Sequence, residues 1–295
     1  MSFFQHREGE LYRFGLEIGW CNLRAGGLRR LGVQKTLGKL LQPILSPQRF
    51  GEYDAVLRHL PRSGRMLDVG SPKLFDLWLA SRYPVEIVAT DVWPPPVAEY
   101  LPAWSMRAQR RAPPGKVRFV ATDGTATCFR DGAFPSIFAI SVIEHIEGDG
   151  DRRFLDEAAR LLTAAGRLLV TVPWGPRYEE QYTAGPVYGA SAGSGPAFFQ
   201  RVYDRPAAER RLMSHPLLRV AAVFTVALPR PALHDGWSRL PARLRGATGF
   251  LNPLWSGLSP RPVHTGFAEP SSPVETRRPP AVEGDLLILY ERSAG

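Results

Sequence analysis

The sequence predicts a doubly wound α/β domain, and three observations carry that prediction. Apolar strands alternate with amphipathic helices from residue 65 onward, four of these strands run straight into polar turns, and 44% hydrophobic content is ample for a buried core. Strands fit Arg65 to Val69, Glu86 to Thr90, Val117 to Ala121, Ser136 to Ser141 and Arg167 to Val172, with helices over Pro72 to Arg82, Val97 to Arg107 and Asp151 to Leu162. Farther on, a helix fits Asp204 to Met213, and strands fit Arg219 to Leu228 and Asp285 to Arg292.

Residues 1–50 read separately. Leu28, Leu31, Leu37, Leu40, Leu41 and Ile44 mixed with Arg29, Arg30, Lys35 and Lys39 predict short amphipathic helices, either a lid packed on the main domain or a membrane-surface element. A helix over Gly51 to Leu60 puts Tyr53, Val56, Leu57 and Leu60 on one face. The main domain is therefore expected over 51–295, with inserts at about 175–200 and 230–282. The second insert is rich in proline and too long for an ordinary connection.

Composition narrows the function. A formal charge of +9, largely arginine, suits an anionic partner, yet the basic residues are scattered and no recognition motif accompanies them, which argues against nucleic acid. Cys21 and Cys128 lie far apart without ligand spacing, so neither a disulfide framework nor a metal site is expected. Early charges interrupt any apolar run near Met1 and no stretch is long enough to span a bilayer. The expectation is a cytoplasmic protein with at most peripheral membrane contact.

Chemistry concentrates at the strand ends. Met66-Leu67-Asp68-Val69-Gly70-Ser71-Pro72 is a strand, a turn and a helix start; a ligand in such a sheet sits at this carboxyl end. Gly70 permits close backbone approach, Ser71 suits an N-cap, and Pro72 suits the first helical position. Asp91, at the end of the next strand and some twenty residues past Gly70, is placed to accept both hydroxyls of a ribose, with Val92 and Trp93 beside the base. Asp123 and Gly124 end the third strand; Asp123 can accept from an adenine amine or serve only as turn chemistry. Ser141-Val142-Ile143-Glu144-His145 follows the fourth strand, putting Glu144 and His145 at a cleft floor where His145 can act as a base.

These four elements, in this order and spacing, resemble class I S-adenosylmethionine-dependent methyltransferases, particularly a small-molecule group with a Ser-Val-Ile-Glu-His-Ile-like segment. The resemblance implies a Rossmann-like, seven-stranded, mostly parallel sheet whose last strand, near Leu286 to Tyr290, inserts antiparallel. It implies S-adenosyl-L-methionine as cofactor, with Asp68, Asp91 and Asp123 on its methionine, ribose and adenine parts, and Gly70, Ser71, Val92, Trp93, Gly124 and Ser141 lining the pocket. The family's Gly-x-Gly-x-Gly loop is here Gly70-Ser71-Pro72-Lys73-Leu74, which keeps only the first glycine. His145 is the expected base, and Glu144 is expected either to orient the cofactor or to bind a cation, although one Glu-His pair is not a metal-site pattern. Tyr178, Tyr182, Tyr188, Arg201 and Tyr203 are expected at a small-molecule acceptor, methylated on oxygen or nitrogen. The competing readings are a nicotinamide-dependent oxidoreductase, which expects a fuller glycine fingerprint, and an inactive methyltransferase fold serving as a binding subunit.

Overall fold

A computed structural model describes residues 2–45, 47–93, 95–183, 196–227, 263–265 and 284–293. Three helices come first: α1 (Ser2–Arg24), α2 (Gly27–Leu45) and α3 (Pro47–Leu57). Then β1 (Gly64–Val69), α4 (Lys73–Arg82), β2 (Val85–Asp91), α5 (Pro95–Arg110), β3 (Lys116–Ala121), β4 (Phe134–Ile140), α6 (Gly150–Leu161) and β5 (Leu162–Trp174) alternate as predicted. Element ends differ from the sequence reading by a few residues, as strand and helix ends commonly do. The larger differences are β5, which begins five residues early, and α3, which begins four residues early at Pro47.

The remaining elements are β6 (Glu179–Thr183), β7 (Ala197–Val202), α7 (Arg205–Arg211), β8 (Leu218–Ala227), the short β9 (Val263–Thr265) and β10 (Gly284–Arg292). The main sheet runs in the order β3-β2-β1-β4-β5-β10-β8-β9. Strands β1 to β5 pair in parallel, and β10 pairs antiparallel with both β5 and β8. This is the predicted Rossmann-like sheet of seven strands with an antiparallel last strand, extended at its edge by three-residue β9.

Period-two alternation divides the core. Met66 of β1 and Ile87 and Ala89 of β2 face α4 and the N-terminal helices, with Phe75, Trp78, Tyr53, Val56 and Ile18. Leu67, Val69 and Val88 face the other layer, with Phe154, Leu155, Ala158 and Tyr203. The N-terminal helices pack beside α4 and α5 on one face of the sheet. No helix among the described residues is long and apolar enough to cross a membrane.

Two sequence readings change here. Ser71 does not cap α4: Pro72 occupies the cap, with φ −59° and ψ 116°, and the helix begins at Lys73. Ser71 is instead buried, its hydroxyl accepting from the Ile140 amide at 2.9 Å. The first insert, expected at about 175–200 without assigned elements, contributes an antiparallel pair, β6 with β7. Most of the 230–282 insert lies outside the described residues.

Candidate active site

The site is assembled from strand tips. Parallel register sets Val69 beside Thr90 and Asp91 beside Ala121, so the turns after β1, β2 and β3 emerge together. Gly70 has φ +70°, the left-handed region that glycine enters without strain, and its amide donates to the Thr90 carbonyl at 2.9 Å. A Cβ at Gly70 would stand 2.8 Å from Val142, and one at Gly124 would stand 2.5 Å from Val69. The absence of both side chains lets the β3 and β4 turns close on the β1 tip.

The three aspartates differ in surroundings. Asp68 is fully buried; its Oδ1 accepts from the Ser71 amide at 3.1 Å and its Oδ2 from Lys73 Nζ at 2.6 Å. Lys73 Nζ also donates to the Thr90 carbonyl at 2.9 Å and lies 3.8 Å from Asp76. Burial works against the Lys73 charge, but Asp68, Asp76 and Asp91 outweigh it and hold the ammonium above its ordinary pKa. Asp76, also fully buried, is pushed well above the usual carboxylate range by burial and by Asp68, opposed by Lys73. Asp68 thus fixes the turn from within and does not face a ligand.

Asp91 is only half-buried. Its Oδ1 accepts from the Trp93 amide at 2.9 Å, and Val92 and Trp93 stand 68% and 44% exposed beside it. Burial raises the Asp91 carboxyl, opposed by the Trp93 amide and Lys73. Asp123 is exposed and closes its own turn, Oδ1 accepting from both the Thr125 amide and hydroxyl at 2.8 Å.

At the β4 tip, Ser141 has φ +50°, uncommon for a residue with a side chain. Its amide donates to Thr171 Oγ1 at 2.9 Å, and its hydroxyl donates to Glu52 Oε1 at 2.6 Å, which Thr171 also reaches at 2.5 Å. Glu52 belongs to α3 and is 2% exposed, so that helix places a carboxylate at the β4 tip, beside Thr171 of β5. His145 follows in a single turn, Ile143–His145. Its Nδ1 lies 2.6 Å from the Phe199 carbonyl of β7 and its Nε2 lies 3.6 Å from Glu144 Oε1. The carbonyl accepts, so Nδ1 carries the proton and the Nε2 lone pair is turned toward the Glu144 side when the ring is neutral.

The expected acceptor residues correct the sequence reading. Arg201 is completely buried: its guanidinium donates to the carbonyls of Ile146 and Gly148 and reaches Glu180 at 3.3 Å. Tyr203 is buried as well, donating to Asp151 Oδ2 at 2.9 Å, and burial with Asp151 raises its phenol well above the ordinary value. Arg211 grips the same carboxylate at 2.8 Å from both Nε and Nη2. Arg201 and Tyr203 therefore brace the loop after His145 from behind and do not face a substrate. Tyr178 and Tyr182 both donate to Glu180, and only Tyr182 is exposed. Tyr188 lies outside the described residues.

The family model for a methyltransferase domain matches residues 67–170, from β1 into β5. The chain carries a class I methyltransferase domain. No curated protein matches the chain in sequence. Among solved structures, the methyltransferase domain's fold is shared with the (4+2)-cyclase SpnF at 18% identity and TM-score 0.50, over 82% of this chain and 80% of that one. A SAM-dependent methyltransferase from Methanosarcina mazei aligns at 13% identity and TM-score 0.50, over 82% of this chain and 98% of its own. Identities this low speak for the fold alone.

Sequence reasoning missed Lys73, Asp76 and Glu52. A lysine one residue past Pro72 reads as a solvated helix start, and Glu52 meets its partners 89 and 119 residues away. The replacement of the second and third glycines by Pro72 and Leu74 marks the turn as rebuilt, but not the burial of Lys73.

Proposed function

We propose that this chain is a cytoplasmic S-adenosyl-L-methionine-dependent methyltransferase that methylates an oxygen or nitrogen of a small-molecule acceptor. The observation that carries the reading is the Asp91 tip: a half-open carboxylate beside exposed Trp93, next to the Gly70 turn, inside the methyltransferase domain. The residues fit the cofactor there. One Asp91 oxygen is held by the Trp93 amide, leaving acceptor capacity for ribose hydroxyls, while Val92 and Trp93 offer apolar surface for a base. Bound S-adenosyl-L-methionine supplies a methyl group on sulfonium sulfur.

The protein's own residues then orient and exclude water. Asp68 and Lys73 fix the Gly70 turn without touching the ligand, and Glu52 fixes the β4 tip beside β5 through Ser141 and Thr171. His145, with Nδ1 held by the Phe199 carbonyl, presents Nε2 as the proton acceptor for the nucleophile, and Glu144 stabilises the imidazolium so formed. An in-line displacement needs little else beyond alignment. The exposed thiol of Cys128 suits a reducing compartment.

A second reading has a specific observation behind it. The glycine loop is rebuilt around a buried lysine, and this fold also serves SpnF, which is named for a cyclisation, so methyl transfer does not follow from architecture. Calorimetric titration with S-adenosyl-L-methionine and with NAD decides. Binding of the sulfonium alone, followed by transfer of labelled methyl to a small acceptor, is expected. NAD binding would install the oxidoreductase reading, and silence toward both would leave a partner-binding fold.

A further inference from the structure

A second charged cleft lies away from the strand tips. It is formed where α1 crosses α4 and α5, holds about 280 Å³, and is lined by Arg13, Arg82, Arg107 and Arg111 against only two carboxylates, Glu10 and Glu17. Ser81 and Arg82 are the last residues of α4, whose first turn carries the candidate active site. Nine residue steps at 1.5 Å put the cleft roughly 14 Å farther along that helix.

The two carboxylates are already engaged. Glu10 meets Arg82 at 2.7 Å and Glu17 meets Arg107 at 3.1 Å. Arg13 and Arg111 are exposed at the rim and have no ion-pair partner among the described residues. Arg107 is the deciding group. Its side chain is only 7% exposed, with its guanidinium over Phe14 at 5.0 Å and Trp104 at 5.9 Å. Its Nε faces Glu17 without hydrogen-bond geometry, and its Nη1 finds no acceptor among the described residues.

The carboxyl ends of α4 and α5 offset part of this positive charge through their dipoles. They do not satisfy the Arg107 fork, and a buried guanidinium edge without an acceptor is costly. A charged group of tetrahedral oxygens supplies what is missing, with several acceptors for a planar fork and two negative charges for the unpaired rim arginines. Arg24 and Arg110 add to the local field, since both act on the thiol of Cys21, which faces this side of α1.

We infer that this cleft is a second ligand site, separate from the methyl-transfer site, that takes a phosphate group through Arg107, Arg13 and Arg111. The phosphate belongs either to a small phosphorylated molecule or to a lipid headgroup. Leu16 and Trp20, exposed on the same stripe of α1 as Arg13 and Glu17, flank the cleft with apolar surface.

The test uses inorganic phosphate as probe, followed by its phosphorus NMR linewidth at low millimolar concentration and fixed ionic strength. Saturable broadening is expected for the parent chain, and an affinity about tenfold weaker for the Arg13→Gln, Arg111→Gln double variant. That variant alters exposed residues, so its cofactor titration stays at the parental value. Arg107→Gln is read the same way, with circular dichroism to confirm folding. Flotation with phosphatidylglycerol vesicles, compared with phosphatidylcholine alone, distinguishes the source: arginine-dependent flotation assigns a headgroup, and phosphate saturation without flotation assigns a free ligand. Absence of saturation, or equal broadening in the parent and the double variant, overturns the proposal.

Discussion

β1 and β2 end alike and behave differently. Each is an apolar parallel strand that runs into an aspartate, and by alternation both carboxylates fall on the α4 side of the sheet. Yet Asp68 is sealed beneath the Gly70 turn against Lys73, while Asp91 stays half-open beside Trp93. The deciding residue is not in either strand. Lys73, the first residue of α4, reaches under the turn and takes one carboxylate, leaving the other half-open. An acid at a strand tip is thus sealed or left open according to whether the following helix brings a cation to it.

The comparison can be broken from either side. Lys73→Met should have the largest effect, because it strands Asp68 as a buried charge beside a second acid; a loss of about 3–5 kcal/mol is expected in urea unfolding. A change below about 1 kcal/mol would show that the ammonium is not the anchor. Asp91→Ala should leave unfolding nearly unaltered and weaken S-adenosyl-L-methionine by about 10- to 100-fold, each tenfold being about 1.4 kcal/mol. Parental affinity in that variant would remove Asp91 from the site.

Asp68→Asn should cost less than Lys73→Met, about 2 kcal/mol, because Asp76 can ionise and take over as counter-ion. The mark of that takeover is a steeper loss of stability in acid than the parent shows. Asp76→Asn should be the mildest change. The folded state holds the Asp76 proton well above pH 4, where the unfolded chain gives it up, so this group makes stability fall as pH rises through that interval. The amide removes the slope, and thermal melts from pH 4 to 7 should flatten or rise relative to the parent. An unchanged slope would mean that Asp76 is ionised in the folded protein.

The strand tips were legible because apolar runs ending in aspartate or Glu-His announce themselves locally. The Gly70 turn was legible for the same reason, since only glycine takes its backbone conformation without strain. What could not be read depends on distant partners. Arg201 and Tyr203 follow a run of aromatics and were expected at an acceptor, but their partners Ile146, Gly148 and Asp151 turn them inward. The β6 and β7 hairpin escaped notice because its strands are joined by a stretch with no alternation. Lysine at the start of a helix is so regularly solvated that nothing in the local pattern marks Lys73 as buried.

The position of β10 bears on how this protein is made. Residues 284–292 supply an interior strand of the sheet, between β5 and β8. On the ribosome, everything through β8 has emerged before that slot can be filled, so β5 and β8 each wait with an unpaired apolar edge. Synthesis that halts before residue 284 leaves a half-sheet prone to self-association, and a protective chaperone would matter most during that interval.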